Sequence, residues 1–381
     1  MTTTENIIYL IQCSLSEKKP DENLLTQANF SQIFKICQKH KIAALTDISV
    51  QKLGSDIISD DMKKKFRNRT LNTQRTNILF EAEKENIFDM LEENKIWYLP
   101  LKGCVIKDCW EQPELREHAD IDILFDNRYT DKVRSLMESM GYVTEDFGKN
   151  HHDTYLKKPV YNFEMHRTLF EARDETAYEY YKDIKNKLLP VNSKNYEYQF
   201  SNEDFYIYFI AHAVKHINNG GTGLRTLIDI YLYLENTPLD FDYIQNQLSL
   251  MNISNEESKL RKLSQKILSA EIPFSINLLD ESEREFLDFI VSSGAYGTIE
   301  HLIQNRMSDI SENKNYSFKN KFVYWCRRIF IVPPDYKTRY PHLYKNKFSR
   351  SFINIIRFAN GLTSKRKDLI KEFKMVRKMK K

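Results

Sequence analysis

The chain has 381 residues, of which 41% are hydrophobic and 13% aromatic, with only 10 Gly and 10 Pro. That composition can bury a sizeable core over two or three domains, which excludes a disordered chain; the shortage of turn formers argues against an all-β fold and for long helices on short loops. The net charge of +4 is uneven: from Lys337 to Lys381 there are 15 Lys or Arg against Asp368 and Glu372, a local +13 that leaves −9 on the rest. Such a tail is a candidate contact surface for nucleic acid or an anionic surface, although "SFINIIRFANGL" also supplies residues for ordinary packing. The five cysteines, Cys13, Cys37, Cys104, Cys109 and Cys326, are scattered and odd in number, so reduced thiols are expected and a zinc site is not. The opening "MTTTENIIYLIQCSLSEKK" lacks the pattern of a signal peptide, and no apolar run approaches the ~20 residues of a membrane span. A cytoplasmic location without a transmembrane segment is the expectation.

In chain order, residues 1–95 read as a helical N-terminal region. Phe30, Ile33, Phe34 and Cys37 fall at helical spacing, as do Ile78, Leu79, Ala82, Phe88 and Leu91. The texture then changes. "IWYLPL" reads as a short strand, "GCVIKDCW" as a short helix, "ADIDILF" as a strand, and "NRYTDKVRSLMESMG" as an amphipathic helix ended by Gly141. "YVTEDF", "HDTYLKK" and "YNFEMHR" read as three more strands. A mixed α/β core is therefore expected over 96–200, a helical domain over 201–335, and the basic tail over 336–381, with "IVPPDYKTRYP" as a connector. The fold class is α+β.

Inside the second strand Asp120 and Asp122 alternate with Ile121 and Ile123. Residues i and i+2 of a strand point to one side, so both carboxylates project together. A buried unpaired pair of like charges is costly, and a divalent cation resolves it. Mg²⁺ takes hard oxygen ligands, commonly one or two carboxylates with phosphate and water. A third carboxylate would allow two ions roughly 3.5–4 Å apart. Glu164, in "YNFEMHR", alternates with Phe163 and Met165 and is the candidate. The plain alternative is a pair of carboxylates on a solvent-exposed edge. Lys102-Gly103 stands where a strand turns into a helix: Gly103 lets backbone approach a phosphate, Lys102 offers a charge, and Arg116 offers another from the following loop.

These stretches, "LPLKG", "LREHADIDILF" and "YNFEMH", resemble the nucleotidyltransferase superfamily, and more closely its bacterial branch of uncharacterised nucleotidyltransferase-family proteins. The motif-bearing resemblance covers roughly 78–235, and "PPDYKTRYPHLY" has the look of the same branch. It implies a small mixed-sheet palm core among helices. It also implies that Asp120, Asp122 and Glu164 are the catalytic and metal-ligating acids, and that Lys102-Gly103 is the phosphate-binding turn. The cofactor implied is Mg²⁺, as one or two ions, with Mn²⁺ as a substitute. The reaction implied is transfer of a nucleoside monophosphate from a triphosphate, ATP among them, to an acceptor with release of pyrophosphate. The chain departs from the broad superfamily in having no Ser after Gly103; the narrower branch shares the Lys-Gly form, the Arg before the Asp pair and Glu-x-His at Glu164 and His166.

Further along, His212 and His216 lie four apart on one helix face, more simply hydrogen-bonding residues than metal ligands. "GGTGLR" is not a phosphate loop of the Gly-Lys-Ser/Thr type and reads as a helix connection, or as a loop over the site with Arg225 on a phosphate and Asp229 orienting Arg225. The narrower branch carries similar residues there, so Arg225 and Asp229 are secondary candidates. His166 shares a strand face with Glu164, and His151 and His152 read as surface residues. Two rival functions stand beside the transferase: a catalytically silent nucleotide-binding or scaffold protein, and an RNA-acting transferase of tRNA-modifying or toxin-like kind.

Overall fold

The computed structural model describes all residues except 146, 270–271, 309, 311–316, 333–335, 337–339, 363–365 and 379–381. Most of the Pro-rich connector expected over 331–341 lies outside the described residues.

The N-terminal region is helical as expected: α1 Thr3–Leu15, α2 Phe30–Lys39, α3 Ala43–Val50 and α4 Asp60–Glu93. Thr2 and Glu5 close a reciprocal cap on α1, and Ser59 caps α4. At 34 residues α4 is about 50 Å long. Its first half puts Phe66 into the core of the N-terminal helices, and its second half lays Phe80, Ile87, Phe88 and Leu91 against the sheet.

That sheet has five strands: β1 Tyr98–Pro100, β2 Ile121–Phe125, β3 Val143–Glu145, β4 His152–Lys157 and β5 Tyr161–His166, in the order β1-β2-β5-β4-β3. Between β1 and β2 lies the four-residue helix α5 Gly103–Ile106, and between β2 and β3 lies α6 Thr130–Ser139. Only the β2–β5 pairing is parallel. Gly141, at φ 87°, ends the run from α6 into β3, as its place in the sequence predicts. Ile121, Ile123 and Phe125 of β2 and Phe163 and Met165 of β5 pack with α4 and α6. Leu124, on the opposite face, joins a core that includes residues of the helices that follow. β2 is thus an interior strand covered on both faces, not a solvent edge.

After α7 Glu175–Tyr181 the chain becomes helical again: α8 Asn202–Asn218, α9 Leu224–Asn236, α10 Phe241–Leu250, α11 Ser254–Leu268, α12 Glu281–Ser293 and α13 Ile299–Ser308. Side chains of α8–α12 share one buried core with α1–α3. His40 at the end of α2 ties this together, its Nδ1 accepting from Leu224 N at 3.0 Å and its Nε2 lying 3.0 Å from Val291 O. Toward the C-terminus come α14 Phe318–Phe330, α15 Pro341–Tyr344, α16 Lys347–Leu362 and α17 Arg366–Lys378. No helix of the described residues is long and apolar enough to cross a membrane, and all five cysteines are free.

Candidate active site

Three local devices bring the predicted residues to one place. Leu101 N donates to Asp122 O at 3.0 Å, holding the Lys-Gly turn against the acidic strand. Asn77 of α4 donates to the carbonyls of Glu114 and Arg116 at 2.8 and 3.0 Å, which fixes the loop entering β2. The parallel register sets Asp122 beside Glu164 and Leu124 beside His166. Period-two alternation then puts Asp122, Glu164 and His166 on one face, away from the apolar residues between them.

The resulting charges are unequal in their surroundings. Asp122 is buried, and its Oδ1 accepts from Lys102 Nζ at 2.7 Å and lies 2.8 Å from His166 Nε2. Burial opposes its ionisation, but Lys102 and His166 outweigh that and hold the carboxyl well below the usual range. Burial works against the charge of Lys102 too, and the carboxylates around it, Asp122 first, keep its ammonium protonated. Among the described residues Asp120 has no hydrogen-bond or ion-pair partner, and burial together with Asp122 raises its pKa. Glu164 is raised too, to about 8, by burial and then by Asp122 and Asp120. His152 Nε2 lies 3.5 Å and His166 Nε2 3.7 Å from its Oε2. Burial keeps His166 neutral and pushes His152 down to about 3.

A cavity of about 90 Å³ opens beside the acids, walled by Lys102, Gly103, Asp120, Asp122, Arg225 and His216 among others. Gly103 is required here by close approach: a Cβ would lie 2.7 Å from Arg116 Nη1 and 2.7 Å from the His118 ring. Lys102 itself takes φ 47°, ψ −112°, a backbone region that L side chains rarely adopt.

The structure reassigns some partners. Asp229 does not orient Arg225; both its oxygens hold Arg116, from Nε at 2.9 Å and Nη2 at 2.8 Å, and Trp110 Nε1 adds 2.9 Å. Arg225 reaches instead to the carbonyl of Glu117, whose carboxylate is held by Arg69. Arg116 therefore shows the cavity only its Nη1 edge. His151 and His152, expected at the surface, are largely covered, because β4 pairs with β5 and sets His152 opposite His166. Lys215 of α8 lies over His151, with Nζ 3.3 Å from its Nε2. His212 and His216 line the cavity and contact each other at 3.1 Å, Nε2 to Nε2.

Two site residues escaped the sequence reading. His118 lies in the cavity wall with its Nε2 buried and unpartnered, and burial and then Arg116 lower its pKa well below 6.5. Its signal was present, since His118, Asp120 and Asp122 are spaced by two. His152 needed the β4–β5 register, which no local pattern carries.

Asp122, Glu164 and His166 present ligand atoms that all lie within 4.8 Å of one another, and Asp120 flanks them at the cavity. The donor set fits a divalent cation. Asp122 and Glu164, with Asp120 beside Asp122, supply hard oxygens; Asp120 bonds to none of the described residues, and burial, then the charges of Asp122 and Asp120, raise Glu164. In comparisons with known proteins, a family model described as an uncharacterised nucleotidyltransferase matches residues 26–269, well into both helical flanks. No curated protein and no solved structure matches the chain.

Proposed function

From the premise that this chain belongs to that uncharacterised nucleotidyltransferase family, we propose that it transfers a nucleoside monophosphate from a nucleoside triphosphate to a hydroxyl-bearing acceptor. The observation that carries the reading is Asp122, close to Glu164 on one side and sharing with Asp120, the Lys102-Gly103 turn and Arg225 the wall of one cavity on the other. Asp120, Asp122 and Glu164 hold Mg²⁺, or Mn²⁺ in its place, and a bound dication supplies charge neutralisation on the phosphates. Lys102 keeps Asp122 ionised and oriented. His166 fixes the same carboxylate from the strand side. Where Glu164 does not hold an ion, it takes the proton of the attacking hydroxyl at Oε2 as the new P–O bond forms and pyrophosphate leaves. Arg225 and the Nη1 edge of Arg116 face the phosphates, and catalysis is chiefly positioning and electrostatics.

The test is incubation with α-labelled triphosphates, Mg²⁺ and cell extract as acceptor source. Wild type transfers label or releases pyrophosphate, and the Asp120→Ala/Asp122→Ala variant loses about 10³-fold. Equal rates in both refute the catalytic assignment. One observation favours binding without turnover instead: the cavity of about 90 Å³ is small and Lys102 already neutralises Asp122. Tight triphosphate binding by calorimetry with no pyrophosphate under any acceptor condition selects that reading.

The C-terminal helices bear on the partner. Phe348, Phe352 and Ile355 of α16 are exposed on one face, as are Ile370 and Phe373 of α17, while Ile353 and Val376 pack inward. Glu372, one of two acids against 15 Lys or Arg among the last 45 residues, is buried against Tyr324 and Arg328. Cations beside exposed aliphatic side chains match an anionic lipid surface, since stacking on nucleobases has no use for isoleucine. Flotation with phosphatidylglycerol vesicles but not phosphatidylcholine vesicles, lost in Phe348→Ser/Phe352→Ser, is expected. Binding of RNA with steep salt dependence and no vesicle binding reverses the assignment.

A further inference from the structure

Next to Glu164, three imidazoles meet, of which the proposed transfer uses only His166, through its bond to Asp122. His151 precedes β4, His152 opens it, and His166 closes β5. Their ring centroids are 4.7 Å (His151–His152), 4.9 Å (His152–His166) and 5.2 Å (His151–His166) apart. One ring nitrogen from each lies within 4.8 Å of the other two. The side chains are only 8%, 19% and 2% exposed for His151, His152 and His166. In all three, Nδ1 is closed off from solvent and makes no hydrogen bond. The Nδ1 atoms of His152 and His166 have no partner of either sign, and a buried polar atom in that state costs ~1–3 kcal/mol, which packing alone does not explain.

The outer sides of the rings carry a second pattern. Each imidazole has a carboxylate near one nitrogen: Asp122 at 2.8 Å from His166 Nε2, Glu164 at 3.5 Å from His152 Nε2, and Glu171 at 3.3 Å from His151 Nδ1. Metal-ligating histidines are held this way, one ring nitrogen on a carboxylate and the other turned to the ion. On that plan Nδ1 of His152, Nδ1 of His166 and Nε2 of His151 would be the set offered to an ion. The ammonium of Lys215 stands 3.3 Å from that His151 nitrogen, with Asp174 3.9 Å away on its other side. A positive charge is therefore already drawn to the rim of the cluster.

We propose that His151, His152 and His166 form a second cation site, for a borderline transition-metal dication such as Zn²⁺ or Co²⁺, distinct from the hard-oxygen position at Asp120 and Asp122. Imidazole nitrogens suit such ions, and Mg²⁺ prefers oxygen. With metal–nitrogen distances of 2.0–2.1 Å, ligands around a tetrahedral ion are about 3.4 Å apart, so nitrogens that lie within 4.8 Å of one another close by at most about 1.4 Å. Lys215 swings to Asp174 as they do. The bound ion ties β4 to β5 beside Glu164 and fixes His166 against Asp122, making it a positioning element for both acids. The site does not require the transferase reading, because it is read from ion binding alone.

The full-length protein, stripped with chelator and held in excess Mg²⁺, is titrated with CoCl2 while visible absorption and calorimetric stoichiometry are followed. One Co²⁺ per chain with the strong absorption of a nitrogen-rich, low-coordinate ion is expected. His151→Ala/His152→Ala weakens binding by more than about 100-fold, and Asp120→Asn leaves it in place. Lys215→Met, which removes the competing ammonium, tightens binding, and this keeps the test decisive if the histidine variant fails to fold. Co²⁺ binding that survives the histidine changes, that is lost in Asp120→Asn instead, or that Lys215→Met leaves equal or weaker overturns the proposal.

Discussion

Two buried ion clusters line one cavity, and they are built on opposite plans. Around Asp229 both carboxylate oxygens are matched: Arg116 gives two hydrogen bonds and Trp110 a third. Around Asp122 the matching stops halfway. Its Oδ1 takes both Lys102 and His166, while Asp120 has no bonding partner and Glu164 is raised to about 8. The first cluster is complete in the protein alone and locks α9 to the loop entering β2. The second leaves one carboxylate without a hydrogen-bond partner among the described residues and another with a strongly raised pKa, the pattern of groups held for chemistry rather than for stability. Burial alone does not separate structural from chemical charge here; completeness of partnering does.

The largest effect tests the closed cluster. Asp229→Ala strands a buried guanidinium and the Trp110 N–H, and a loss of about 3–5 kcal/mol in urea unfolding is expected. A loss below 1 kcal/mol would show that the Arg116–Asp229 pair does not bear on stability. The open cluster should respond the other way round. Asp120→Asn removes a carboxylate that bonds to nothing and that Asp122 repels, so the melting temperature holds or rises, while label transfer falls about 10²–10³-fold. If Asp120→Asn lowered stability as Asp229→Ala does, the distinction between the clusters would fail.

What the sequence could tell follows from how far apart the partners lie. Asp120, Asp122, Ile121 and Ile123 display their alternation within four residues, so the two-sided strand was readable at once. Glu164 was readable by the same phase, although its placement beside Asp122 is a property of the β2–β5 register. The Arg116–Asp229 pair joins positions 113 residues apart and left no local trace; Arg225, one helical turn from Asp229, was the nearer guess, and it failed because the Glu117 carbonyl takes its guanidinium. His151 and His152 looked like surface residues because they sit at a strand end. Their burial comes from β5 and α8, which only the tertiary fold brings over them.

The raised Glu164 sharpens the comparison through pH. Its carboxyl titrates near the ordinary 4.5 when unfolded and at about 8 when folded. Between those values the folded chain holds a proton that the unfolded chain has lost, so stability without added cation falls as pH rises through this window. Asp122, shifted downward, acts only at lower pH, where its contribution is lost as pH falls. A cation competes with the Glu164 proton, so its apparent affinity should rise by up to about tenfold per pH unit toward pH 8. Thermal shifts with MgCl2 or MnCl2 at pH 6, 7 and 8 measure this. The increase should vanish in Glu164→Gln, and a shift independent of pH in wild type would remove Glu164 from the ligand set.

The smallest effect concerns the backbone under Lys102. At φ 47°, ψ −112° a side chain costs ~1–3 kcal/mol relative to relaxed backbone, yet the position holds lysine, whose Nζ reaches Asp122 at 2.7 Å. Two substitutions separate the side chain from the turn. Lys102→Ala loses the ion pair and keeps the strained backbone; Lys102→Gly loses the same pair and relieves the strain, against ~0.5–1 kcal/mol of extra unfolded-chain entropy. Both should unfold more easily than wild type, with Lys102→Gly about 1 kcal/mol more stable than Lys102→Ala. That order would mean the open cluster carries strain at Lys102 in order to hold a cation beside Asp122. Equal stability, or the reverse order, would mean that the turn is unstrained and that the two clusters differ in their partners alone.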